Sequence, residues 1–318
     1  GGFSLTANPS DVLIERGKSA TTSIAVTRMP PFTGAVALSL SSPPPGISIA
    51  PPPPPATIAI GMASTPVTLT VAAAATHGKK TVSVVGAASV SGIGAPLTLT
   101  VGREVGPFQE ANPTPYQSTV PSSRTALSGN FRVEIATGAP SVPQPRKASF
   151  FRGTQAVGNE IGFTLGPVSS IGGAGFCANS LPVAITRGVV MSGAMPGHAS
   201  QNVVTFLDVT VNAPPLLEVE TDMNVQHTPT GPFILFQPRV YFSRDCTLAL
   251  VAGANKLGPS KHILRVFDLT SGQPIGAEVP FETATFSALV RNSGSNQEVE
   301  IKVDTGSPTA QTVVYRMP

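Results

Sequence analysis

The residues best equipped for chemistry in this chain are few and far apart. Two cysteines, Cys177 and Cys246, stand 69 positions from each other, with no further Cys or His at metal-ligand spacing. Their expected chemistry is a disulfide; two buried free thiols are the alternative. The four histidines, His77, His198, His227 and His262, form no H-x-H or H-x-x-x-H pair, so no metal site is expected from them. His227 follows Glu220 and Asp222 and could share a cation with them, although isolated polar residues on a strand are the commoner reading.

Glu218, Glu220 and Asp222 occupy alternate positions, so on a strand they share one face. Paired carboxylates can hydrolyse glycosides, but three on one face read first as a solvated surface. Ser192-Gly193 lacks the preceding Gly of a nucleophile elbow. The run Gly172-Gly173-Ala174-Gly175 lacks the Lys-Ser/Thr of a phosphate loop and is expected to be a flexible loop. Asp208, Asp222, Asp245 and Asp304 stand singly, so a calcium loop is not indicated. No catalytic residue, metal ligand or cofactor is assigned. A hydrolase in the C-terminal region would need one of the four His to meet a Ser or a carboxylate in space.

The elements that would carry such residues are strands. Only 12% of the 318 residues are charged while 41% are apolar, and no window shows the apolar stripe against a charged face that a surface helix needs. Thirty-three prolines oppose helix wherever they fall. The 20 Lys and Arg never form a run of three and no aromatics interleave with them, so a nucleic-acid partner is not expected despite a net charge of +3. No apolar stretch is long enough to span a bilayer as a helix. The opening Gly1-Gly2-Phe3, without Met, agrees with a removed signal peptide or a cut boundary.

From Phe3 to Val101, short alternating runs recur between turn signals. Val12 and Ile14 lead to the turn at Arg16-Gly17-Lys18. Thr22, Ile24 and Val26 then alternate against Thr21, Ser23, Ala25 and Thr27. Val36, Leu38 and Leu40 follow the turn at Phe32-Thr33-Gly34. Pro43–Pro45 and Pro51–Pro55 cannot donate to a ladder and link two strands. The pairs Ile58/Ile60 and Val82/Val84, with the triplets Val67/Leu69/Val71 and Leu97/Leu99/Val101, complete about seven strands.

These residues resemble the immunoglobulin-like repeat modules of bacterial exported and cell-surface proteins. The opening Phe-x-Leu, the entry before Arg16-Gly17, the Phe32-Thr33-Gly34 turn and strand, the Pro-Pro-Gly-Ile step at 44–47 and the late Thr81-Val82-Ser83-Val84 strand carry the likeness. It covers residues 1–102 and departs at Lys79-Lys80 and in the long proline run. It implies an immunoglobulin-like β-sandwich and an exported protein. It says nothing of activity, because such modules serve as spacers, stalks and adhesive units.

Residues 103–127 break the alternation and read as a Pro-rich linker or as an extended arm lying on a neighbour, with Phe108, Tyr116 and Val120 as apolar anchors. Beyond them alternation resumes, at Phe131/Val133/Ile135, Ile161/Phe163/Leu165, Val183/Ile185 and Val203–Val211 up to Pro214-Pro215. A second series follows: Leu217/Val219, Phe233–Phe236, Val240–Phe242, Leu248–Val251, His262–Leu269, Phe286–Val290, Val299–Val303 and Val313–Tyr315. Asp268-Leu269-Thr270-Ser271-Gly272 reads as a strand exit with a tight turn. The expected organisation is all-β: an immunoglobulin-like sandwich at 1–102, the arm at 103–127, and sandwiches at 128–213 and 214–318. A Cys177–Cys246 bridge across Pro214 would join these last two into one unit.

The function expected from this pattern is that of a non-catalytic structural or interaction protein of the bacterial exterior. Its expected partners are other copies of the chain, met through β edges and extended segments and building fibres or arrays. The alternative is a module that binds an extracellular polysaccharide or a host surface. The absence of Trp and the presence of three Tyr argue against aromatic sugar platforms.

Overall fold

The computed structural model describes residues 1–50, 56–111, 114–115, 117–120, 123–128, 131–136, 144–152, 154–156, 161–165, 170–177, 183–190, 200–208, 216–223, 239–254, 261–282, 285–304 and 310–317. Among them every regular element is a strand, and no helix is long and apolar enough to cross a membrane. Two compact units share the chain. The first joins Gly1–Val105 with Val290–Val299 and Arg316–Pro318; the second comprises Gly106–Leu289 and Glu300–Tyr315. These units cut the chain differently from the expected 1–102, 103–127, 128–213 and 214–318. The first draws residues from far down the sequence, and the second makes no break at 128 or 214.

Ten strands build the first unit up to residue 102: β1 (Gly2–Asn8), β2 (Asp11–Glu15), β3 (Ser19–Met29), β4 (Val36–Ser41), β5 (Ile47–Ala50), β6 (Thr57–Ile58), β7 (Ser64–Val71), β8 (Gly78–Ala87), β9 (Gly92–Ile93) and β10 (Ala95–Gly102). One five-stranded sheet runs β5-β7-β3-β1-β9 and the other β2-β10-β8-β4-β6. Both contribute to one buried apolar cluster, with Phe3, Leu5, Ile24 and Leu69 from the first and Leu38, Val84, Leu97 and Leu99 from the second. Period-two alternation makes this possible, since each strand turns one face inward. Each fully buried aliphatic side chain contributes about 1.5–3 kcal/mol relative to exposure.

Thr22 is polar but inward, and its hydroxyl donates to the Pro9 carbonyl at 2.8 Å. Gly92 lies against the Phe3 ring, where a Cβ would collide, so the short edge strand β9 can approach β1 only as glycine. One expected inward residue is corrected: Ile58 is fully buried, but Ile60 is 72% exposed. The chain leaves the strand there, turning through Gly61 at φ 78°, so the alternation does not extend across it. Pro51–Pro55 lie outside the described residues.

The second unit begins with short pieces, β11 (Gly106–Pro107), β12 (Gln109–Glu110), β13 (Thr114–Pro115) and β14 (Gln117–Val120). Next come β15 (Ser123–Ser128), β16 (Phe131–Ala136), β17 (Gln144–Arg152), β18 (Gln155–Ala156) and β19 (Ile161–Leu165), then β20 (Ser170–Phe176), β21 (Val183–Val190), β22 (Ser200–Leu207) and β23 (Leu217–Met223). The chain continues through β24 (Arg239–Phe242), β25 (Leu248–Ala254), β26 (Lys261–Asp268) and β27 (Gln273–Glu282). Three strands close it: β28 (Thr285–Ser293), β29 (Asn296–Asp304) and β30 (Gln311–Arg316). The sheets are β14-β15-β16-β17-β18 with β19 also on β17, β13-β20-β21-β22-β23, β12-β24-β25-β26-β27, and β11-β28-β29-β30.

The β20–β23 sheet and the β24–β27 sheet share one core. Val204, Phe206 and Val219 from the former cluster with Val240, Phe242, Ala249, Val251 and Phe267 from the latter. Phe206 and Phe242 meet edge to face at 6.0 Å, a favoured aromatic geometry. Residues on both sides of Pro214-Pro215 therefore fold around a single core. Leu248, Ala249, Leu250 and Val251 are all at most 2% exposed, so β25 is covered on both faces and alternation cannot mark it.

The glycine-rich run is a second correction. Gly172–Gly175 is not a loop but lies within β20, pairing with β21 across an irregularity between Ile171 and Gly173. Glycine carries no side chain to reveal a period, and a bulge is a place where strands accept it. The Asp268–Gly272 exit is a tight turn as read: Gly272 N donates to the Asp268 carbonyl at 2.7 Å, and Gly272 sits at φ 69°.

Candidate assembly surface

The segment expected to be a linker or arm lies on its own chain. Between Gly106 and Val120 it adds an edge strand to sheet after sheet. β11 joins β28, β12 joins β24, β13 joins β20, and β14 opens the sheet of its neighbour β15. In register, Gln109 faces Phe242 and Glu110 faces Tyr241, while Thr114 faces Ala174 and Pro115 faces Gly173. Pro107 and Pro115 can stand in such pieces because an edge strand needs donors on one side only. Two-residue pairings are too short to show alternation, which is why the sequence pattern stops here.

Three contacts fasten this strap. Phe108 N donates to the Ala288 carbonyl at 2.9 Å and Ala111 N to the Val240 carbonyl at 2.8 Å. Arg239 forms a fork on Glu110, with Nε to Oε1 at 2.7 Å and Nη2 to Oε2 at 2.6 Å. The hydrogen bonds it donates to Glu110 hold the Arg239 guanidinium above its ordinary pKa, against a lowering by burial. Arg239 also stands 5.5 Å from the Tyr241 ring centroid. Tyr241 packs edge to face on Phe286 at 5.0 Å, and Phe286 on Phe281 at 5.6 Å. Burial pushes the Tyr241 phenol up, opposed by Arg239.

Of the three expected anchors, Phe108 is half-buried within the strap. Val120 ends β14, and Tyr116 lies outside the described residues. Cys177 and Cys246 form a disulfide, with Cα atoms 5.9 Å apart. It joins the end of β20 to the β24–β25 turn, beside the shared core. That turn is held from within. Ser243 Oγ donates to Asp245 Oδ1 at 2.8 Å and accepts from Leu248 N at 2.9 Å. Thr247 Oγ1 donates to the same Asp245 oxygen at 2.7 Å. The network presents Cys246 at φ 60°.

The chemistry-bearing residues are not brought together among the described positions. Glu218 is exposed on β23 and accepts from Thr205 Oγ1 at 3.2 Å, while Val219 beside it is buried. His77 Nε2 lies 2.9 Å from Arg16 Nη1 in the first unit. His262 is in β26; Ser192, His198 and His227 lie outside the described residues.

Sequence reading missed the role of Gln297. Within the first unit its Oε1 accepts from Arg103 N at 2.6 Å and its Nε2 donates to the Arg103 carbonyl at 2.7 Å. Met317 N donates to the Gln297 carbonyl at 2.8 Å, and Asn292 Nδ2 reaches Glu15 Oε1 at 3.4 Å. The turn between β28 and β29 thus belongs to the N-terminal sandwich. A lone Gln in a turn-rich chain gives no signal of this.

The edges opposite the strap are β23, β27 and β30, each last in its sheet among the described strands. They are longer than the strap's pieces, at 7, 10 and 6 residues. Val314 on β30 is 41% exposed. Comparison with known proteins finds no matching family and no matching curated protein. Among solved structures the chain is similar to surface layer protein SbsC, domains 4-9, over 98% of this chain and 82% of that one, at 8% identity and a TM-score of 0.23. A likeness at that level carries no argument about function.

Proposed function

We propose that this chain is an extracellular, non-catalytic structural protein that assembles with copies of itself through β edges, and that its first unit is an immunoglobulin-like sandwich. The observation that carries the assembly reading is the asymmetry of edges in the second unit. The strap closes one side of three sheets, while β23, β27 and β30 end the other side, among the described strands, as longer strands. An edge strand is a row of unpaired donors and acceptors, and strand addition is the common way to fill it. The disulfide supports an oxidising, extracytoplasmic setting.

The immunoglobulin-like reading rests on strand order. If β1 and β2 are taken as two halves of one first strand, β5-β7-β3-β1 and β2-β10-β8-β4 reproduce the ABED and CFG sheets of that fold, with β6 and β9 added at the edges. The unit lacks the Trp and the intersheet disulfide of antibody domains, as the chain has no Trp and its two Cys lie at 177 and 246.

Sedimentation and electron microscopy of the purified chain across a concentration series test the assembly reading. Ordered fibres or arrays are expected. Persistent monomers at high concentration overturn it, and retention on an extracellular polysaccharide by such monomers would favour the binding-module reading instead.

A further inference from the structure

We propose that one end of the first unit is a docking surface for an anionic polysaccharide. It is built from that unit alone, so it holds whether or not copies of the chain assemble through the edges of the second.

Residues 1–102 carry five Lys or Arg, and the fold gathers four of them at one end. The turn Arg16-Gly17-Lys18 is bonded to the end of β7, through Gly17 N to the Val71 carbonyl at 2.9 Å and Val71 N to the Lys18 carbonyl at 3.0 Å. β8 starts at the same end. Arg16 N donates to the Gly102 carbonyl at 3.2 Å, and Val101 pairs with Gly78, which precedes Lys79 and Lys80. Arg16 is fixed there, with Nε on the Ala73 carbonyl at 2.5 Å and Nη1 on His77 Nε2 at 2.9 Å. Lys18 and Lys79 are exposed. Among the described residues no carboxylate comes within ion-pair distance of these four cations, whereas Arg239, Arg265, Arg291 and Lys302 each meet a glutamate. Glu15, beside them in sequence, accepts from Asn292. Cations gathered without an acid repel one another and draw an anion from outside.

The surroundings decide which anion. A nucleic acid would use aromatic platforms, and the aromatic residues of 1–102 are Phe3 and Phe32, 1% and 8% exposed. A lipid surface would take apolar side chains beside the cations, but the exposed Met29 lies at the opposite end of β3, where Arg28 binds the Ala59 and Met62 carbonyls. What adjoins Lys18 is a row of hydroxyls. Ser19 Oγ lies 3.1 Å from Thr70 Oγ1, and Thr21 Oγ1 3.2 Å from Thr68 Oγ1. Each pair uses one of its two hydroxyl hydrogens, so the other hydrogen and the spare lone pairs are open to sugar hydroxyls. Unpaired cations beside an uncharged hydroxyl row match a sugar chain that bears carboxylates.

The test is retention of the full chain on immobilised polygalacturonate, with neutral dextran as the blank, from about 0.01 M to about 1 M salt, over which the screening length falls from about 30 Å to about 3 Å. Binding to polygalacturonate alone is expected, and it is lost as salt rises. Lys18→Gln and Lys79→Gln each weaken it about fivefold. Lys261→Gln with Lys302→Gln, which takes two charges from the second unit, leaves it unchanged. Thr21→Val with Thr68→Val, which keeps every charge, lowers it. No retention of the wild type at the lowest salt overturns the surface, and so does equal weakening by the lysine changes in the two units. Tighter binding to single-stranded DNA or to phosphatidylglycerol vesicles than to polygalacturonate overturns the choice of partner, as does undiminished binding by the threonine pair.

Discussion

Replacing both Cys177 and Cys246 by Ala removes the covalent tie between the two sheets of the second unit's core and leaves their apolar contacts nearly intact. The bridge closes a loop with a sequence separation of 69. For a loop of about 70 residues, chain entropy assigns about 4.4 kcal/mol at 25 °C, within the 2–5 kcal/mol that native disulfides usually contribute. Cys177 is 5% exposed and belongs to the buried cluster, so losing its sulfur adds a small packing cost of the same sign. At Cys246, Ala is as strained as Cys at φ 60°, and the backbone contribution cancels. Over the roughly 200 residues of this unit, the loss corresponds to a fall of about 9–18 °C in Tm. Calorimetry of the wild type and the double variant resolves this. The expected record is one transition shifted down and a second, from the N-terminal unit, unmoved. A shift below about 1 kcal/mol would refute the loop-closure reasoning; an equal shift of both transitions would refute the assignment of the bridge to one unit.

Three further outcomes follow from the geometry. Gln297→Ala removes the side-chain partner of both the Arg103 N–H and the Arg103 carbonyl, and each buried backbone group so stranded costs about 1–3 kcal/mol; denaturant unfolding of the N-terminal unit should show it, and Gln297→Glu should not rescue it, because a carboxylate oxygen then faces the Arg103 carbonyl and the Asn292 amide oxygen to which the Gln297 amide donates. Gly276 sits at φ 73° with the Tyr315 ring against it, and the Tyr315 hydroxyl donates to the Ala277 carbonyl. Gly276→Ala therefore combines backbone strain of about 1 kcal/mol or more with a steric clash, and faster hydrogen exchange along β30 is the readout. Burial raises the phenol pKa of both Tyr241 and Tyr315. The native state thus favours their neutral forms. Their contribution is fully present below the ordinary tyrosine value of about 10 and is lost as pH rises through the folded values. Stability of the second unit measured from pH 9 to 12 should fall with ionisation of tyrosine, and Tyr241→Phe with Tyr315→Phe should flatten the slope.

The sequence by itself determined the class of the fold and much of the first unit. Residues such as Ile24, Val26, Leu97 and Leu99 alternate with polar neighbours, and a period of two has one physical solution when only one face can be buried. Turn chemistry at Gly17 and at Asp268–Gly272 was legible for the same local reason: φ above zero favours glycine. Tertiary structure decided the rest. Gly172–Gly175 became a strand because its neighbours β13 and β21 pair with it, which glycine cannot announce. β25 shows no alternation because it is covered on both faces. The strap at 106–120 reads as a linker or arm in one dimension, since β11, β12 and β13 are two residues long and their partners lie far down the chain. Gln297 found Arg103 across 194 positions. Local periodicity reports which face of a strand is buried; it carries no information about which distant strand supplies the cover.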